Sequence, residues 1–285
     1  MSSRTLNLMI LADTDRPDVR EAWSRLEPVL AGCSGVRVVG VYSHDDPIHH
    51  QEKVDVVVVL GGDGSMLRGC RQLGDEQRPM MGINLGRLGF LADVTPEQFV
   101  SSLDVLKRGD YEVVDHLMLK SQHHHADGTV TTDMGLNEVM VTSGGSLKML
   151  DVNLTIDDRP VTTFSCDGLI ISTPVGSTAH NLSAGGPILR QDLQAVCITP
   201  ICPHSLTVRP IVDSAERTYE LTVTDPPDGV MVVIDGQTRR PLRTGERIQV
   251  TRHSSTFQLV RLPGHSYYGT LHRKLRWGGQ PQYRE

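Results

Sequence analysis

VDVVVVLGGDGSMLRG, residues 54–69, is the most informative segment of this chain. Val54–Leu60 is an almost continuous β-branched run, which is typical of a strand buried on both faces of a parallel sheet. The run ends at Gly61–Gly64, and the hydroxyl of Ser65 is suited to cap a helix with an apolar side. The segment therefore predicts a strand, a glycine turn and a helix that Ser65 caps.

The glycine turn carries a carboxylate, Asp63, and this combination indicates chemistry on a phosphate group. Glycines let the backbone approach a ligand closely, and a helix N-terminus attracts anions. Asp63 would repel a phosphate unless it bound a metal or accepted a proton, and both roles occur in phosphoryl transfer. The alternative is a tight turn with a solvated Asp63. The residues that we predict to bind phosphate or ATP are Gly61, Gly62, Gly64, Ser65 and Arg68.

The sequence around this turn alternates between strand-like and helix-like segments up to residue 108. Such alternation predicts a Rossmann-like, doubly wound α/β domain, and its ligand crevice should lie at the carboxyl ends of the strands. We expect Thr95 to cap the helix that follows it. The further segments are Leu6–Ala12, Val36–Tyr42 and Pro79–Asn84 for strands, and Arg16–Leu30 and Pro96–Leu106 for helices.

Residues 109–262 are different, because short strand-like runs follow one another with few helices between them. This pattern predicts a second, β-rich domain resembling a sandwich. Residues 263–285 form a final segment that we expect to be helical around Tyr268–Leu275, then irregular, and to pack back on the α/β domain. The predicted strands are Tyr111–Lys120, Val130–Asp133, Glu138–Thr142, Asp151–Ile156, Leu169–Ser172, Thr218–Val223, Val230–Ile234, Arg247–Thr251 and Phe257–Leu262.

Composition narrows the classes of function. The chain has 285 residues, with 34 acidic and 28 basic residues, a net charge of −6 and 4% aromatic residues. Without a basic block or stacking aromatics, we expect no nucleic-acid partner. We also expect no membrane partner, because there is neither a signal peptide nor a run of transmembrane length. The five scattered cysteines fit reduced thiols and a cytoplasmic protein.

Two polar segments in the β-rich region are candidate ligand sites. Asn137 and Glu138 precede a strand, where they could bind a purine edge and a ribose hydroxyl, or cap a turn. Residues 166–189 combine small hydroxyl residues with glycine, which suits a sugar or phosphate lying on the backbone; an ordinary Ser/Thr-rich loop is the alternative. Asp167 lies at the start of this segment. Gln237, in a predicted hairpin turn, is a further candidate contact.

The histidine and cysteine patterns give weaker indications of a functional site. His123–His125 suggests zinc, but it adjoins Asp127-Gly128, so we expect a solvated hairpin loop. Cys197, Cys202 and His204 lack the paired spacing of a structural zinc site, and we interpret them as buried thiols and a loop histidine. The chain contains no P-loop and no nucleophile elbow.

Taken together, these segments resemble the NAD kinase family over nearly the whole chain. The glycine–aspartate turn alone also occurs in 6-phosphofructokinases and in lipid kinases of the diacylglycerol type, whereas the long run from Asp167 to Leu189 is specific. The motifs, in the family's order, are GGDGSMLRG at 61–69, NLGRLGFLAD at 84–93, LNEVMV at 136–141, DGLIISTPVGSTAHNLSAGGPIL at 167–189, PICPHSLTVRPIV at 200–212, DGQ at 235–237 and RKLRWG at 273–278.

The resemblance implies transfer of the γ-phosphate of ATP, or of a phosphate from polyphosphate, to the 2′-hydroxyl of the adenosine ribose of NAD⁺. It implies a divalent metal, Mg²⁺, whose ligands the sequence does not identify, and a homodimer or homotetramer. Asp63 matches the proton acceptor and, with Gly64, contacts NAD. Asn137 and Glu138 match residues at the adenosine end of NAD, and Asp167 a carboxylate near the nicotinamide. The other implied NAD contacts are Lys148, Thr178, Ala179, His180, Asn181, Leu182, Ser183 and Gln237.

Three positions depart from the usual family pattern. Ser65 replaces the commoner Thr, His180 replaces a Tyr that stacks on adenine, and Ser165 stands where many bacterial members carry Arg. Two alternatives remain at this point: another kinase with the same turn, or a nucleotide-binding sensor without catalysis. Thr155–Asp158 resembles part of a phosphofructokinase motif, but we interpret it as a hairpin turn.

Overall fold

The structure, a computed structural model, describes residues 5–43, 46–48, 52–86, 88–145 and 148–276. The chain divides into two compact units, which are described separately. The first comprises Met1–Val114 and Gln258–Glu285, and the second comprises Asp115–Phe257. The irregular end predicted after the last helix lies outside the described residues. No helix within the described ranges is long and apolar enough to cross a membrane.

The first unit is built on a six-stranded sheet in the order β2-β1-β3-β4-β18-β5. Strands β1 to β4 and β18 pair in parallel, as the alternating sequence predicts. The central strand β3 is buried along its whole length, which explains its unbroken apolar sequence. The strands are β1 (Leu6–Ala12), β2 (Val36–Tyr42), β3 (Val56–Leu60), β4 (Met80–Ile83), β5 (Glu112–His116) and β18 (Phe257–Arg261).

Helices cover both faces of this sheet because strand side chains alternate between them. Leu8 and Ile10 share a core with α1 and α3, whereas Leu11 lies against Gly69 of α2 on the other face. This arrangement confirms the doubly wound α/β fold. The helices are α1 (Pro17–Gly32), α2 (Asp63–Leu73), α3 (Pro96–Arg108) and, near the C-terminus, α5 (Tyr267–Leu275).

Two predicted helix caps have different outcomes. Thr95 caps α3 as predicted, in a capping box with Gln98. The prediction that Ser65 caps α2 is wrong, because the helix already begins at Asp63 and Gly62 is the capping residue. Gly62 has no side chain, so no side-chain hydrogen bond caps the first turn of α2.

The second unit consists of two antiparallel sheets. Their orders are β10-β9-β14-β17-β6-β7 and β13-β12-β11-β8-β15-β16. Residues of both sheets, such as Val152 and Val250 from one and Val139 and Ile171 from the other, form one hydrophobic core. The sandwich-like prediction is therefore confirmed. The strands are β6 (Leu119–His124), β7 (Val130–Gly135), β8 (Glu138–Thr142), β9 (Leu150–Ile156), β10 (Arg159–Cys166), β11 (Gly168–Ser172), β12 (Ala195–Ile201), β13 (Ile211–Ser214), β14 (Tyr219–Val223), β15 (Met231–Ile234), β16 (Thr238–Pro241) and β17 (Arg247–Arg252).

Several strands differ from the sequence-based expectation. The predicted run Tyr111–Lys120 is divided into β5 and β6, and the sequence analysis did not identify β10, β12, β13 and β16. β10 and β16 carry exposed polar residues and a proline, so their sequences lack a strand-like apolar pattern. The Asp157-Asp158 turn, with positive φ at both residues, joins β9 and β10 as predicted. A short helix, α4 (His180–Ser183), follows β11.

Two predictions about histidines and cysteines are wrong. His123 is not in a solvated loop, because it lies on β6 and its side chain is 2% exposed beside Glu246. The sequence alone could not reveal this, since Glu246 is distant along the chain. Cys202 is exposed rather than buried, whereas Cys197 is buried and burial raises the pKa of its thiol.

Candidate active-site residues

The Asp63 carboxylate lies at the start of α2 and is held by the loop after β4. Its Oδ2 accepts a hydrogen bond from the N–H of Phe90 (2.8 Å), and its Oδ1 accepts from Leu91 (2.9 Å) and Ala92 (3.0 Å). Three donors from consecutive residues fix the orientation of the carboxylate. The Asp63 side chain is therefore held in place by the backbone of the neighbouring loop. The alternative of a tight turn with a solvated Asp63 does not describe it.

The loop closes on Asp63 because it contains Gly89. A Cβ atom at Gly89 would lie 2.0 Å from Asp63 Oδ1, so a larger residue would displace the carboxylate or the loop. Asn84 shapes the same loop: its side chain donates to the carbonyl of Ala92 (3.0 Å) and accepts from the N–H of Gly86 (2.7 Å). The NLGRLGFLAD motif thus shapes the loop that holds Asp63. Its Arg87 is outside the described residues.

The C-terminal segment also contacts this loop. Lys274 of α5 donates a hydrogen bond to the carbonyl of Leu88, and its Nζ lies 5.1 Å from the centre of the Phe90 ring. Arg261 and His265 bind Asp93 at 2.8 and 3.2 Å. The far end of the chain therefore supports the loop that orients Asp63.

The predicted phosphate-binding residues lie together at the carboxyl end of β3. Gly61 follows the strand with φ of +141°, a conformation that favours glycine. Gly62 and Gly64 flank Asp63, and Gly64 is exposed. Ser65 and Arg68 are half-buried on α2, where they line a small cleft with Asp13. These residues place the N-terminus of α2 and the guanidinium of Arg68 on the same short segment.

In the second unit, Asn137 and Glu138 begin β8, and Asp235 holds their backbone. The Asp235 carboxylate accepts hydrogen bonds from the N–H groups of Leu136 (2.9 Å), Asn137 (2.7 Å) and Glu138 (3.1 Å). Burial raises the pKa of Asp235 to about 6, although these three donors oppose the shift. Asp235 itself has φ of +52° in the turn between β15 and β16.

Glu138 is paired with His180. Its carboxylate is 1% exposed, and Oε1 lies 2.7 Å from Nδ1 of His180, whose side chain is 55% exposed. The hydrogen bond to Glu138 raises the pKa of His180. The second oxygen, Oε2, is buried and has no hydrogen-bond partner among the described residues. A buried carboxylate oxygen without a partner is costly, so this atom is suited to accept from a ligand hydroxyl.

The small residues after β11 pack directly on the start of β8. Thr173 donates from its hydroxyl to the carbonyl of Leu136 (2.6 Å) and from its N–H to that of Asn137 (2.8 Å). A Cβ atom at Gly176 would lie 2.0 Å from the Asn137 carbonyl oxygen. The hydroxyls of Ser172 and Ser177 are also used within the protein. These small residues therefore support Asn137 and Glu138 rather than leaving their hydroxyls for a ligand.

The rest of the adenosine-pocket run lies in and around α4. Thr178 and Ala179 precede the helix and are half-buried, as is Leu182, whereas Ser183 is exposed. Asn181 is fully buried: its amide donates to the carbonyls of Ser177 and Pro187, and its oxygen accepts from Thr199 (2.6 Å). The Asn181 side chain is thus used to hold this loop.

The remaining candidates are distributed over the second unit. Asp167 is exposed between β10 and β11, and Lys148 is exposed before β9. Gln237 is half-buried in the turn after Asp235, and a Cβ at the neighbouring Gly236 would lie 3.3 Å from the His180 ring. The structure therefore brings the turn at 235–237 together with Asn137, Glu138 and His180.

Two residues of these arrangements, Asp235 and Gly89, are not among the sites predicted from the sequence. Asp235 was assigned to a hairpin turn, and Gly89 was one glycine among several in its loop. Both act on residues distant in sequence, Asp235 on residues 136–138 and Gly89 on Asp63. The DGQ motif was the sequence signal for Asp235, because a carboxylate in a buried turn must accept hydrogen bonds from other residues.

Comparisons with known proteins identify the family. The model of the ATP-NAD kinase N-terminal domain matches residues 31–111, and that of the ATP-NAD kinase C-terminal domain matches residues 136–262. The chain is 42% identical to a NAD kinase of Rhodopirellula baltica over 283 residues, which covers 99% of this chain and 90% of the relative. It is 40% identical to a NAD kinase of Geotalea daltonii over 227 residues, or 80% of each chain.

Solved structures agree with this assignment. The yeast NADH kinase complexed with NADH has a TM-score of 0.89 at 22% identity, covering 100% of this chain and 91% of that chain, which shows the fold. A NAD kinase from Archaeoglobus fulgidus in complex with ATP has a TM-score of 0.73 at 29% identity, covering 95% and 99%. The phosphofructokinase, lipid-kinase and sensor alternatives are not favoured. This chain belongs to the NAD kinase family, whose members are phosphotransferases.

Proposed function

We propose that this chain transfers the γ-phosphoryl group of ATP to the 2′-hydroxyl of the adenosine ribose of NAD⁺, giving NADP⁺ and ADP. The 2′-oxygen forms a bond to the γ-phosphorus while the bond from that phosphorus to the β–γ bridging oxygen breaks. ATP enters as its complex with Mg²⁺, since this ion is bound mainly through substrate phosphates. The ATP complex of the Archaeoglobus fulgidus relative supports ATP as the donor.

Asp63 is the proton acceptor in this proposal. Its carboxylate is oriented by three backbone N–H groups, and Oδ2, which accepts only one of them, keeps a lone pair for the 2′-hydroxyl. Proton transfer to a positioned carboxylate, together with positioning of the phosphates, is sufficient chemistry for phosphoryl transfer, and no covalent enzyme intermediate is needed. Gly61, Gly62, Gly64, Ser65 and Arg68 would bind the phosphates through backbone N–H groups, a hydroxyl and a guanidinium.

The second unit would bind NAD⁺ at its adenosine end, and Glu138 carries this part of the proposal. The buried Oε2 atom of Glu138 lacks a partner among the described residues, and a ribose hydroxyl would supply the missing donor. The adjacent, exposed ring of His180 would lie against the adenine, and Asn137 would bind the purine edge. The backbone of residues 178–183 and Gln237 would complete the pocket.

Asp167 and Lys148 would contact the dinucleotide farther from the adenosine. Both side chains are exposed, so they are accessible to the nicotinamide riboside and to a diphosphate. Ser165, which replaces a family Arg, supplies no positive charge there; its hydroxyl donates instead to Asp151. The chain would therefore depend on other groups to recognise the diphosphate.

Product analysis tests the proposed reaction. Purified protein is incubated with NAD⁺ and MgATP, and the product is identified by chromatography with ³¹P NMR, which distinguishes a 2′-phosphate. Parallel reactions with polyphosphate as donor and NADH as acceptor define the substrate range. NADP⁺ formation is the expected result. Nucleotide binding without turnover would instead favour a sensor, and phosphorylation of fructose 6-phosphate or diacylglycerol would favour another kinase class.

We further propose a cytoplasmic homodimer or homotetramer. The scattered free cysteines are consistent with a reducing compartment. Light scattering of the full-length protein at several concentrations measures the assembly, and a monomer at all concentrations would contradict the oligomer.

A further inference from the structure

A cluster of two histidines and a glutamate lies in the second unit, apart from the residues assigned to NAD⁺ and ATP. His123 is on β6, His125 directly follows that strand, and Glu246 immediately precedes β17, which pairs with β6. Positions i and i+2 of an extended chain face the same side, so both histidines are directed towards Glu246. One potential ligand atom from each of the three lies within 4.8 Å of the others.

The carboxylate of Glu246 is shared between the two imidazoles. Oε2 lies 2.8 Å from Nε2 of His123, and Oε1 lies 3.3 Å from Nδ1 of His125. The ring centroids of His123 and His125 are 4.0 Å apart. Glu246 is 4% exposed and His123 is 2% exposed, whereas His125 is 26% exposed. The cluster is thus a compact, mostly buried arrangement that opens to solvent at His125.

The charges in this cluster favour a cation. The Glu246 carboxylate also accepts a hydrogen bond from the Arg243 N–H (2.9 Å). The nearby Arg240 is already bound to Asp133 through two hydrogen bonds of 2.6 and 2.8 Å. Among the described residues Glu246 has no lysine or arginine ion pair, and a bound cation would stabilise such a buried carboxylate.

We propose that His123, His125 and Glu246 form a binding site for a divalent transition metal ion, with Zn²⁺ as the best-matched ion. Two imidazole nitrogens and one carboxylate oxygen are ligands that Zn²⁺ uses, and three protein ligands leave a position for water on the exposed side at His125. Mg²⁺ prefers oxygen ligands and would not compete well for this set.

Thr131 supports the ligand role of His125. Nε2 of His125 lies 2.8 Å from the Thr131 hydroxyl, so this nitrogen can donate its proton to Thr131 while Nδ1 faces the carboxylate. A hydrogen bond at the far nitrogen fixes the tautomer and the ring orientation of a metal-bound histidine. Because Thr131 is on β7, the bound ion would connect the β6–β7 hairpin to β17 and stabilise the fold by mass action.

Metal binding is measured on protein freed of any affinity tag, treated with a chelator and transferred to metal-free buffer without nucleotides. Zn²⁺ affinity is determined by competition with a chromophoric chelator, and Co²⁺ is used as a spectroscopic probe of the coordination. We expect one high-affinity Zn²⁺ per chain and a Co²⁺ spectrum of low coordination number. Zn²⁺ should also raise the melting temperature of the unmodified protein.

The variants His125→Ala and Glu246→Gln should each lower the Zn²⁺ affinity at least about 100-fold, since even outer partners of a metal site contribute 10–100-fold. His124→Ala is the matched control, because this histidine is on the same strand but points to the opposite face. Its Zn²⁺ affinity should equal that of the unmodified chain. His125 is partly exposed and Glu246→Gln preserves shape, so both variants are suited to fold. Absence of Zn²⁺ uptake by the unmodified protein, or an equal loss in His124→Ala, would overturn the proposal.

Discussion

Glu138 and His180 are the most closely coupled pair among the candidate NAD⁺ residues, and the coupling is measurable. The Glu138 carboxylate raises the pKa of His180. We therefore expect an NMR titration of the His180 ring to give a higher apparent pKa in the unmodified chain than in Glu138→Gln. An unchanged or higher pKa in the variant would show that the carboxylate does not act on the ring.

The same pair predicts the sign of a pH effect on stability. A histidine whose pKa is raised by folding contributes fully below its unfolded pKa of about 6.5, and the contribution is lost as pH rises through the folded value. Because His180 is more than half exposed, the effect on the free energy of unfolding should be small.

Gly89 offers a separate test of the Asp63 arrangement. In Gly89→Ala the new Cβ would overlap Asp63 Oδ1, so we expect a loss of about 1–3 kcal/mol in the free energy of unfolding together with reduced turnover. Gly86→Ala is the matched control in the same loop, because a Cβ there meets nothing within 4 Å. Denaturant unfolding measures the free energy of unfolding of both variants, and steady-state kinetics measures their turnover. Equal behaviour of the two variants would contradict the close packing of Gly89 on Asp63.

Among the strands and turns, the start of β8 depends on the turn between β15 and β16. Asp235→Ala would leave three N–H groups of residues 136–138 without their acceptor. We expect a loss of about 3 kcal/mol, since a buried donor without an acceptor costs roughly 1–3 kcal/mol. The KM for NAD⁺ should rise more than kcat falls, because Asn137 and Glu138 would be displaced.

The exposed Asp228, in the turn before β15, provides the control for this variant. Asp228→Ala should change neither the free energy of unfolding nor the KM by a measurable amount. A similar small effect in Asp235→Ala would mean that the three hydrogen bonds do not position β8.

Most strands with strong apolar patterns were predictable from the sequence, with the buried β12 as an exception, whereas the polar strands β10 and β16 were not. β3 and β8 have mostly buried, β-branched sequences; the structure confirms β8 with the predicted bounds and β3 with a start two residues later. β16 reads TRRP, and only its pairing with β15 makes it a strand. The predicted cap of α2 lies three residues after the observed one, because Gly62 caps the helix without a side chain that a sequence pattern can show.

The candidate site was predictable where a motif carries its own chemistry and not where distant residues cooperate. The glycine turn predicts Asp63 as a reactive group, but the three donors from residues 90–92 became evident only in the structure. His123 was misread as solvated because its partner Glu246 is 123 residues away. The same separation hid the link between Asp235 and β8. Long-range pairing of this kind depends on the tertiary fold.

The chain as a whole combines an α/β unit that carries Asp63 with a β-sandwich unit that carries Asn137, Glu138 and His180. The alternation of strand-like and helix-like segments in the first part of the sequence predicted the α/β unit, and the strand-rich second part predicted the β-sandwich unit. One family model matches each part. The proposed reaction depends most on Asp63 as acceptor of the 2′-hydroxyl proton during phosphoryl transfer.

Asp63→Asn tests that claim most directly. NADP⁺ formation from NAD⁺ and MgATP, the dissociation constant of NAD⁺ and the melting temperature are measured for the variant and the unmodified chain. We predict a fall in turnover of about 100-fold or more, since a general base contributes 10²–10⁴-fold, with NAD⁺ affinity changed only a few fold. Turnover close to that of the unmodified chain, or an equal loss of binding and rate, would contradict the role of Asp63 as the base.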